Sequence, residues 1–321
     1  MCKRRALATL WALVALSAPA SAQDYPNRMI RMLQGFPPGG NVDAVARVLA
    51  QEMSKGLGQS IVVEAKPGQA GSFAAEAVAR AEPDGYTLLT VPSAHAVTGA
   101  LSKTIKYKPL DDLEWISTVS SYPFVLSVRK DSKYKTLDEL LRAARAEPGK
   151  VSYGSAGLGS TLHMAVELLA NTAKVKFLHV PYRGEAPSFT GLLTGDVDFV
   201  INTTTVAAPQ VKSGEVRGIA VTSRIRWKDL PDIATVEEAG LPGFELISWT
   251  GVAATAGIPK LIAARLNAEV RRAISVPEIR TRLESFGADV RGSTPAEMRA
   301  LVEGQISLWG RLGKEANIQL E

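Results

Sequence analysis

Little in this chain of 321 residues invites covalent, redox or metal chemistry. It has one cysteine, Cys2, so no internal disulfide can form, and Cys2 precedes an apolar run instead of closing it, which argues against a lipid anchor. Histidine is nearly as scarce, with only His95, His163 and His179. His163 and Glu167 share a helix face at i,i+4, but one His and one Glu without a third ligand do not make a metal centre. Charge of one sign is lacking too: the formal net charge is +5, Lys3, Arg4 and Arg5 supply three of it, and the remaining +2 is too small and scattered for nucleic acid. After the N-terminus no stretch approaches the ~18 consecutive apolar residues of a membrane span. There is no solenoid repeat. No glycine run matches G-x-G-x-x-G or G-x-x-x-x-G-K, and "GSAGLGS" lacks the G-x-S-x-G order of a nucleophile elbow. No cofactor, metal or catalytic group is therefore expected.

What is present begins with an export signal. A basic start, the apolar core "ALATLWALVALSA" and the small-residue stop "ASA" predict a signal peptide over 1–22, with cleavage before Gln23 and removal of Cys2. The remaining chain is long enough for two lobes of ordinary domain size.

Strand-like and helix-like runs then alternate. "RMIRMLQ", a helix, "QSIVVEAK", the helix "FAAEAVARA" and "GYTLLTVP" give one β–loop–α–β series; "LDELLRAARAE", "KVSYG", "TLHMAVELLAN", "KFLHVPY", "PSFTGLLTG", "VDFVIN" and "VRGIAVT" give a second. Two open α/β sheets imply two lobes. The apolar stretches 115–130 and 244–255 read as paired strands crossing between them, so lobe one comprises 23–123 and 249–321, and lobe two 124–248. Ser275 with Glu278, and Thr294 with Pro295 and Glu297, read as capping boxes.

Two loops are candidates for binding. "GFPPGG" (35–40) puts two prolines and three glycines in six positions before a helix with Val42, Val45, Ala46, Leu49 and Met53 on its inner stripe and Asp43, Arg47, Gln51 and Lys55 opposite. Such a loop presents main chain, and the unpaired N–H groups of the helix start favour an anion. "YGSAGLGST" (153–161) occupies the same place in lobe two, adding the hydroxyls of Ser155, Ser160 and Thr161. Either loop alone reads as an ordinary turn; the matched pair favours two jaws that hold a carboxylate. His95 either lines the cleft or packs in the core, and Arg183 either meets an anion or is a solvated guanidinium. A competing reading is a hydrolase using Ser155 or Ser160 with His163.

Five blocks, "GFPPGGNVDAVARVLAQEM", "VVEAKPGQAGSFAAEAVARAEPDGYTLL", "SYGSAGLGSTLHMAVELL", "VPYRGEAPSFTGLLTGDVDF" and "LPDIATVEEAGLPGFE", resemble in order the receptors of tripartite tricarboxylate transporters, the Bug-type periplasmic solute-binding proteins. The resemblance covers nearly all of the chain after residue 22. It implies a two-lobed, flytrap-like α/β fold of the type II periplasmic-binding-protein kind with two crossover strands. The implied activity is capture of a small carboxylate for delivery to integral-membrane permease subunits, by a periplasmic monomer that is not an enzyme; a sensor subunit for a signalling partner is the alternative. Carried over residue by residue, the ligand set is Phe36, Pro38, Gly39, Gly40, Asn41 and Asp43 in lobe one, with Ser93 and His95 beside them, and Ser155, Gly157, Gly159, Ser160, Thr161, Tyr182, Arg183 and Asn202 in lobe two. A side chain at Gly159 is expected to obstruct the ligand. Gly191 stands where the family often has an acid, and Asn202 where aspartate is common.

Overall fold

The computed structural model describes residues 25–318 and 320, so the signal peptide and its cleavage point lie outside the described residues. Lobe one opens with β1 (Ile30–Gln34), α1 (Asn41–Leu57), β2 (Ile61–Ala65), α2 (Ser72–Ala79) and β3 (Thr87–Pro92). Strand β1 lies between β2 and β3, parallel to both. Helix α1 buries Val45, Ala46, Leu49 and Met53 against Ile30, Met32 and Leu88, and Gly58, at φ 70°, ends it by donating its N–H to Ser54 O. Asp43 departs from the expected outward face and is buried, for reasons found in the loop it supports.

Helix α3 (Ala94–Leu101) follows β3 directly, and β4 (Leu113–Arg129) then leaves the lobe. Residues 113–123 of β4 pair antiparallel with β9 (Ile247–Thr255), which also pairs with β3; residues 124–129 pair with lobe-two strands instead. One long strand thus belongs to two sheets. Lobe two comprises α4 (Leu137–Ala146), β5 (Ser152–Ser155), α5 (Thr161–Ala173), β6 (Leu178–Pro181), α6 (Glu185–Thr194), β7 (Phe199–Thr203), α7 (Thr204–Lys212) and β8 (Val216–Val221). Strand β5 is parallel to β6 and β7, while β7 and β8 flank the far half of β4. The chain returns where Leu246, whose N–H donates to Thr222 O, gives way to β9. We infer that the lobes divide at Pro123/Phe124 and at Leu246/Ile247.

The C-terminal part adds α8 (Lys260–Ser275), α9 (Pro277–Glu284), β10 (Asp289–Val290) and α10 (Pro295–Glu315). The expected cap at Ser275 does not form. Ser275 is the last residue of α8, with its hydroxyl bonded back to Arg271 O, and Val276 starts α9 ahead of Pro277. The Thr294/Glu297 box forms in full. Helix α10 spans both lobes: Met298 and Val302 pack with Leu33, Trp115 and Trp249, whereas Trp309 and Leu312 join a cluster with Leu162, Ala165 and Leu169 of α5.

Candidate functional site

Parallel strands run their carboxyl ends to one edge of each sheet, and the loops leaving those ends carry the candidate residues. In lobe one the decisive contact lies beneath the loop. The buried Asp43 carboxylate accepts from the Gly39 N–H (3.1 Å), Gln34 Nε2 (3.2 Å) and Arg47 Nε (2.8 Å), while Gln34 Oε1 accepts the Phe36 N–H (2.8 Å). The Arg47 bond, offset by burial and helped by the Gly39 N–H, holds the Asp43 carboxyl below its usual range. Asp43 is thereby reassigned from ligand contact to support of the loop. Pro38, Gly39 and Gly40 remain exposed, and Gly40 starts α1 without a side-chain cap.

A neighbouring loop not included in the expected ligand set braces this one. Gly68, Gln69, Ala70 and Gly71 all have positive φ (143°, 43°, 51° and 97°), and a Cβ on Gly35 would overlap the backbone of Gly71. Two non-glycine residues in the left-handed region cost of order 1–3 kcal/mol each. The glycine-rich "KPGQAGSF" was the available signal.

Ser93 and His95 lie deeper than expected for cleft residues. Ser93 Oγ and Ser248 Oγ share a hydrogen bond of 2.8 Å, tying β3's end to β9. His95 is buried edge-on to Trp115; its Nε2 lies 2.8 Å from Pro109 O and its Nδ1 3.4 Å from the Tyr107 hydroxyl. Both ring nitrogens are occupied, so His95 belongs to the core, where burial lowers its pKa.

In lobe two, Ser160 Oγ caps α5 by accepting the His163 N–H (3.1 Å), and Thr161 opens the helix. Ser155 is fully buried; its Oγ lies 2.7 Å from His179 Nε2 and accepts the Gly157 N–H, so it shapes the turn and presents nothing outward. Gly159, at φ 70°, donates its N–H to His163 Nδ1 (3.0 Å), and a Cβ there would overlap Leu320 of the C-terminal tail. The expected obstruction at Gly159 is therefore with this chain's own tail. Leu158 beside it is 63 % exposed at the loop tip.

Tyr182 turns its hydroxyl onto α6, where a Cβ on Gly191 would overlap it, which explains the glycine in place of the family's acid. Arg183 is exposed, with no ion pair or hydrogen bond among the described residues. Asn202 is fully buried and donates Nδ2 to Glu185 Oε1 (3.3 Å), which also accepts the Thr203 N–H (2.5 Å). Sequence reasoning passed over Glu185 because an acid in a helix's first turn is commonplace. Here burial raises its carboxyl, against the lowering effect of the Thr203 and Asn202 bonds.

A cavity of about 890 Å³ lies elsewhere. Ile247 and Trp249 line it whereas Ser248 between them faces Ser93, and alternate residues of a strand point to opposite faces, so the cavity is behind the crossover strands. Among the described residues no group of three His, Cys, Asp or Glu side chains could hold a metal.

Residues 45–318 match the family model described as the tripartite tricarboxylate transporter family receptor. The chain belongs to that receptor family. Three solved structures, each 34 % identical, agree with it. The periplasmic binding protein BugD superposes with a TM-score of 0.77 over 92 % of this chain and 100 % of its own. An R. palustris protein with adipate gives 0.80 over 92 % and 99 %. MatC from Rhodopseudomonas palustris with bound malate gives 0.76 over 90 % and 99 %. The two-lobed periplasmic-binding-protein fold is thus that of a solute-binding receptor family rather than an enzyme family.

Proposed function

We propose that this protein is a periplasmic receptor that closes its lobes on a small carboxylate-bearing solute and presents it to the permease of a tripartite tricarboxylate-type transporter. The observation that carries the reading is the lobe-one loop: Asp43 and Gln34 hold its main chain rigid from below, and the uncapped start of α1 stands next to it. The uncapped N–H groups of that helix start, held in place by the rigid loop, suit a carboxylate. Ligand-bound relatives with adipate and malate support the class of solute. In this reading the ligand meets the main-chain N–H groups of Gly40 and Asn41 on one side and of Leu158 and Thr161 on the other, the neighbouring N–H groups of Gly39, Gly157 and Gly159 being spent on Asp43, Ser155 and His163, with Arg183 at the edge.

Against the hydrolase alternative, Ser155 is enclosed, Ser160 Oγ accepts the His163 N–H as the cap of α5, and His163 Nδ1 already accepts from Gly159. A sensor subunit would use the same jaws, and co-precipitation of permease or signalling subunits from native membranes separates the two. The primary test is mass spectrometry of small molecules released on denaturation, followed by thermal-shift titration and small-angle scattering with each. A carboxylate that raises the melting temperature and shrinks the radius is expected. A panel in which only sugars do so would refute the reading. N-terminal sequencing of periplasmic material should begin at Gln23, and intact Met1 there would count against export by cleavage.

A further inference from the structure

The cavity behind the crossover strands, on the face turned away from Ser93, holds a chemistry that the cleft does not use. Its floor comes from β4 and β9, with Ile247 and Trp249 from the latter; Leu301 and Leu308 of α10 form a wall, and Arg271 near the end of α8 and Arg291 just after β10 stand at its rim.

The other polar groups of this lining are engaged. Trp249 Nε1 donates to Gln305 Oε1 (2.9 Å), and Gln305 Nε2 donates to Ile247 O (3.3 Å). Glu297 Oε2 takes the Thr294 N–H (2.8 Å) and hydroxyl (3.0 Å) in the cap of α10, and Glu245 is paired with Arg224 at 3.1 Å. The two arginines are different. Among the described residues neither guanidinium has a hydrogen bond or an acid within ion-pair distance. Their charges add only a minor lowering to the Glu297 carboxyl, which the two Thr294 bonds already hold low.

Both residues are nevertheless fixed in place. Arg291 donates its N–H to Val119 O (3.2 Å) and its carbonyl accepts the Thr118 hydroxyl (2.8 Å), which pins its backbone to β4. The Arg271 stem passes Gly292, where a Cβ would stand 3.0 Å from Arg271 Cγ, so a side chain after Arg291 would crowd that stem. A single exposed guanidinium is satisfied by water and marks nothing. Two of them at one rim, on chain segments in contact and beside acids that are spent elsewhere, offer planar donor forks without a protein acceptor, and such forks match the oxygens of an acid group. The leucines, Ile247 and Trp249 give the rest of the cavity an apolar lining. Its volume of about 890 Å³ falls in the range of small-molecule sites, roughly 300–1,000 Å³.

We propose that this cavity is a second ligand site, separate from the cleft between the lobes, which takes an organic anion with an apolar body, its acid group on Arg271 and Arg291 and its body against Ile247, Leu301 and Leu308. The inference goes beyond the receptor reading and does not depend on which solute the cleft takes.

The test is calorimetric titration of the full chain with octanoate and 4-phenylbutanoate, and with 1-octanol and 4-phenylbutan-1-ol as neutral partners of the same length. Three forms are compared: native, Arg271→Gln with Arg291→Gln, and Ala300→Trp, which puts an indole into the cavity from an exposed position on α10. Melting curves check that each variant folds, and the two arginine substitutions are also measured singly. At least one acid should bind the native chain about tenfold or more tighter than its alcohol, the double arginine variant should remove that preference, and Ala300→Trp should weaken the acid about tenfold or more. An alcohol that binds as tightly as its acid overturns the anion assignment. Acid binding that survives unchanged in the double arginine variant or in Ala300→Trp places the anion elsewhere, the cleft included, and overturns the site. No binding of either acid to the native chain does the same, and none of these outcomes touches the reading of the cleft.

Discussion

The imidazole of His163 lies flat on that of His179, with centroids 4.1 Å apart and planes 11° apart, and each ring holds a different end of the lobe-two loop. His163 Nδ1 accepts the Gly159 N–H, and His179 Nε2 pairs with Ser155 Oγ. Tyr153 also stacks against His179 (4.8 Å) and donates its hydroxyl to Glu167, which stands 3.9 Å from His163 Nε2. The loop conformation is therefore tied to two neutral rings.

Acid should loosen that arrangement. Burial, and then the neighbouring His179, lower His163 to about 4, and burial lowers His179 as well. A histidine whose folded pKa is depressed stabilises the fold fully above its unfolded value near 6.5, and the contribution is lost as pH falls from there toward 4. For His163 the loss is on the order of 3 kcal/mol. Urea titrations between pH 7 and 4 should show this slope, and His163→Asn, which can still accept from Gly159, should flatten it. An unchanged slope in the variant would place the acid sensitivity elsewhere.

Asp43 gives a prediction for the other jaw. Asp43→Ala leaves the Gly39 N–H and the buried Gln34 Nε2 without their acceptor, a loss of about 1–3 kcal/mol for the buried donor. Amide hydrogen exchange over residues 36–41 should quicken at least tenfold while β3 stays protected. Uniform quickening across lobe one would mean a general loss of stability instead. In the native chain the same loosening begins only below about pH 4, because the folded carboxyl is depressed and its stabilisation disappears as it protonates.

These two supports show which parts were legible in the sequence. The alternation of apolar strands with amphipathic helices located the parallel strands of both lobes, since burial on both faces leaves a strong local pattern. Helix α3 was hidden because Ser93 follows Pro92 with no turn signal between strand and helix. Helix α7 was hidden by Pro209 inside it and by the threonines at its start. Asp43 looked solvent-facing because its i,i+4 partner Arg47 is exposed; the opposing fact, a main-chain N–H four residues earlier that needs an acceptor, is tertiary. His95 and Ser155 looked available for ligands for the same reason, and Glu185 looked unremarkable because Asn202 and Thr203 meet it only in three dimensions.

Arg272 joins α1 to α8 across two buried acids. Its guanidinium bonds Glu52 Oε1 at 2.9 Å and Glu269 Oε1 at 2.7 Å, and a Cβ on Gly56 would overlap the Glu269 carboxylate. Lys55 also reaches Glu52, but Arg272 is the ion-pair partner of Glu269 among the described residues. Removing Arg272 leaves the buried Glu269 carboxylate uncompensated, and because the guanidinium is itself 42 % exposed, water screens part of the cost. Arg272→Met should lower stability by about 1–2 kcal/mol at neutral pH, and Glu269→Gln added to it should recover part of the loss. If the double variant is no more stable than Arg272→Met, the cost is lost packing and not stranded charge.

Gly159 and Leu320 bring the lobes together at the tail. Leu320 donates its N–H to Leu101 O and accepts from the Lys103 N–H, so its backbone is paired with lobe one while its side chain fills the space beside Gly159 of lobe two. Two costs then meet in Gly159→Ala. One is a Cβ at φ 70°, about 1 kcal/mol for a residue forced into the left-handed region. The other is overlap with Leu320, which can be relieved separately. Urea denaturation of Gly159→Ala, Leu320→Ala and the double variant forms a cycle in which a coupling of about 0.5 kcal/mol or more marks residues in contact. Gly159→Ala should be destabilising alone and less so in the Leu320→Ala background, with the remainder measuring the backbone strain. Additive effects would mean that the tail does not rest on this glycine. The same variants address ligand binding. If Gly159 faces only the tail, Gly159→Ala combined with Leu320→Ala should bind a carboxylate with nearly native affinity, whereas a tenfold or greater loss in that folded double variant would return Gly159 to the ligand side of the loop.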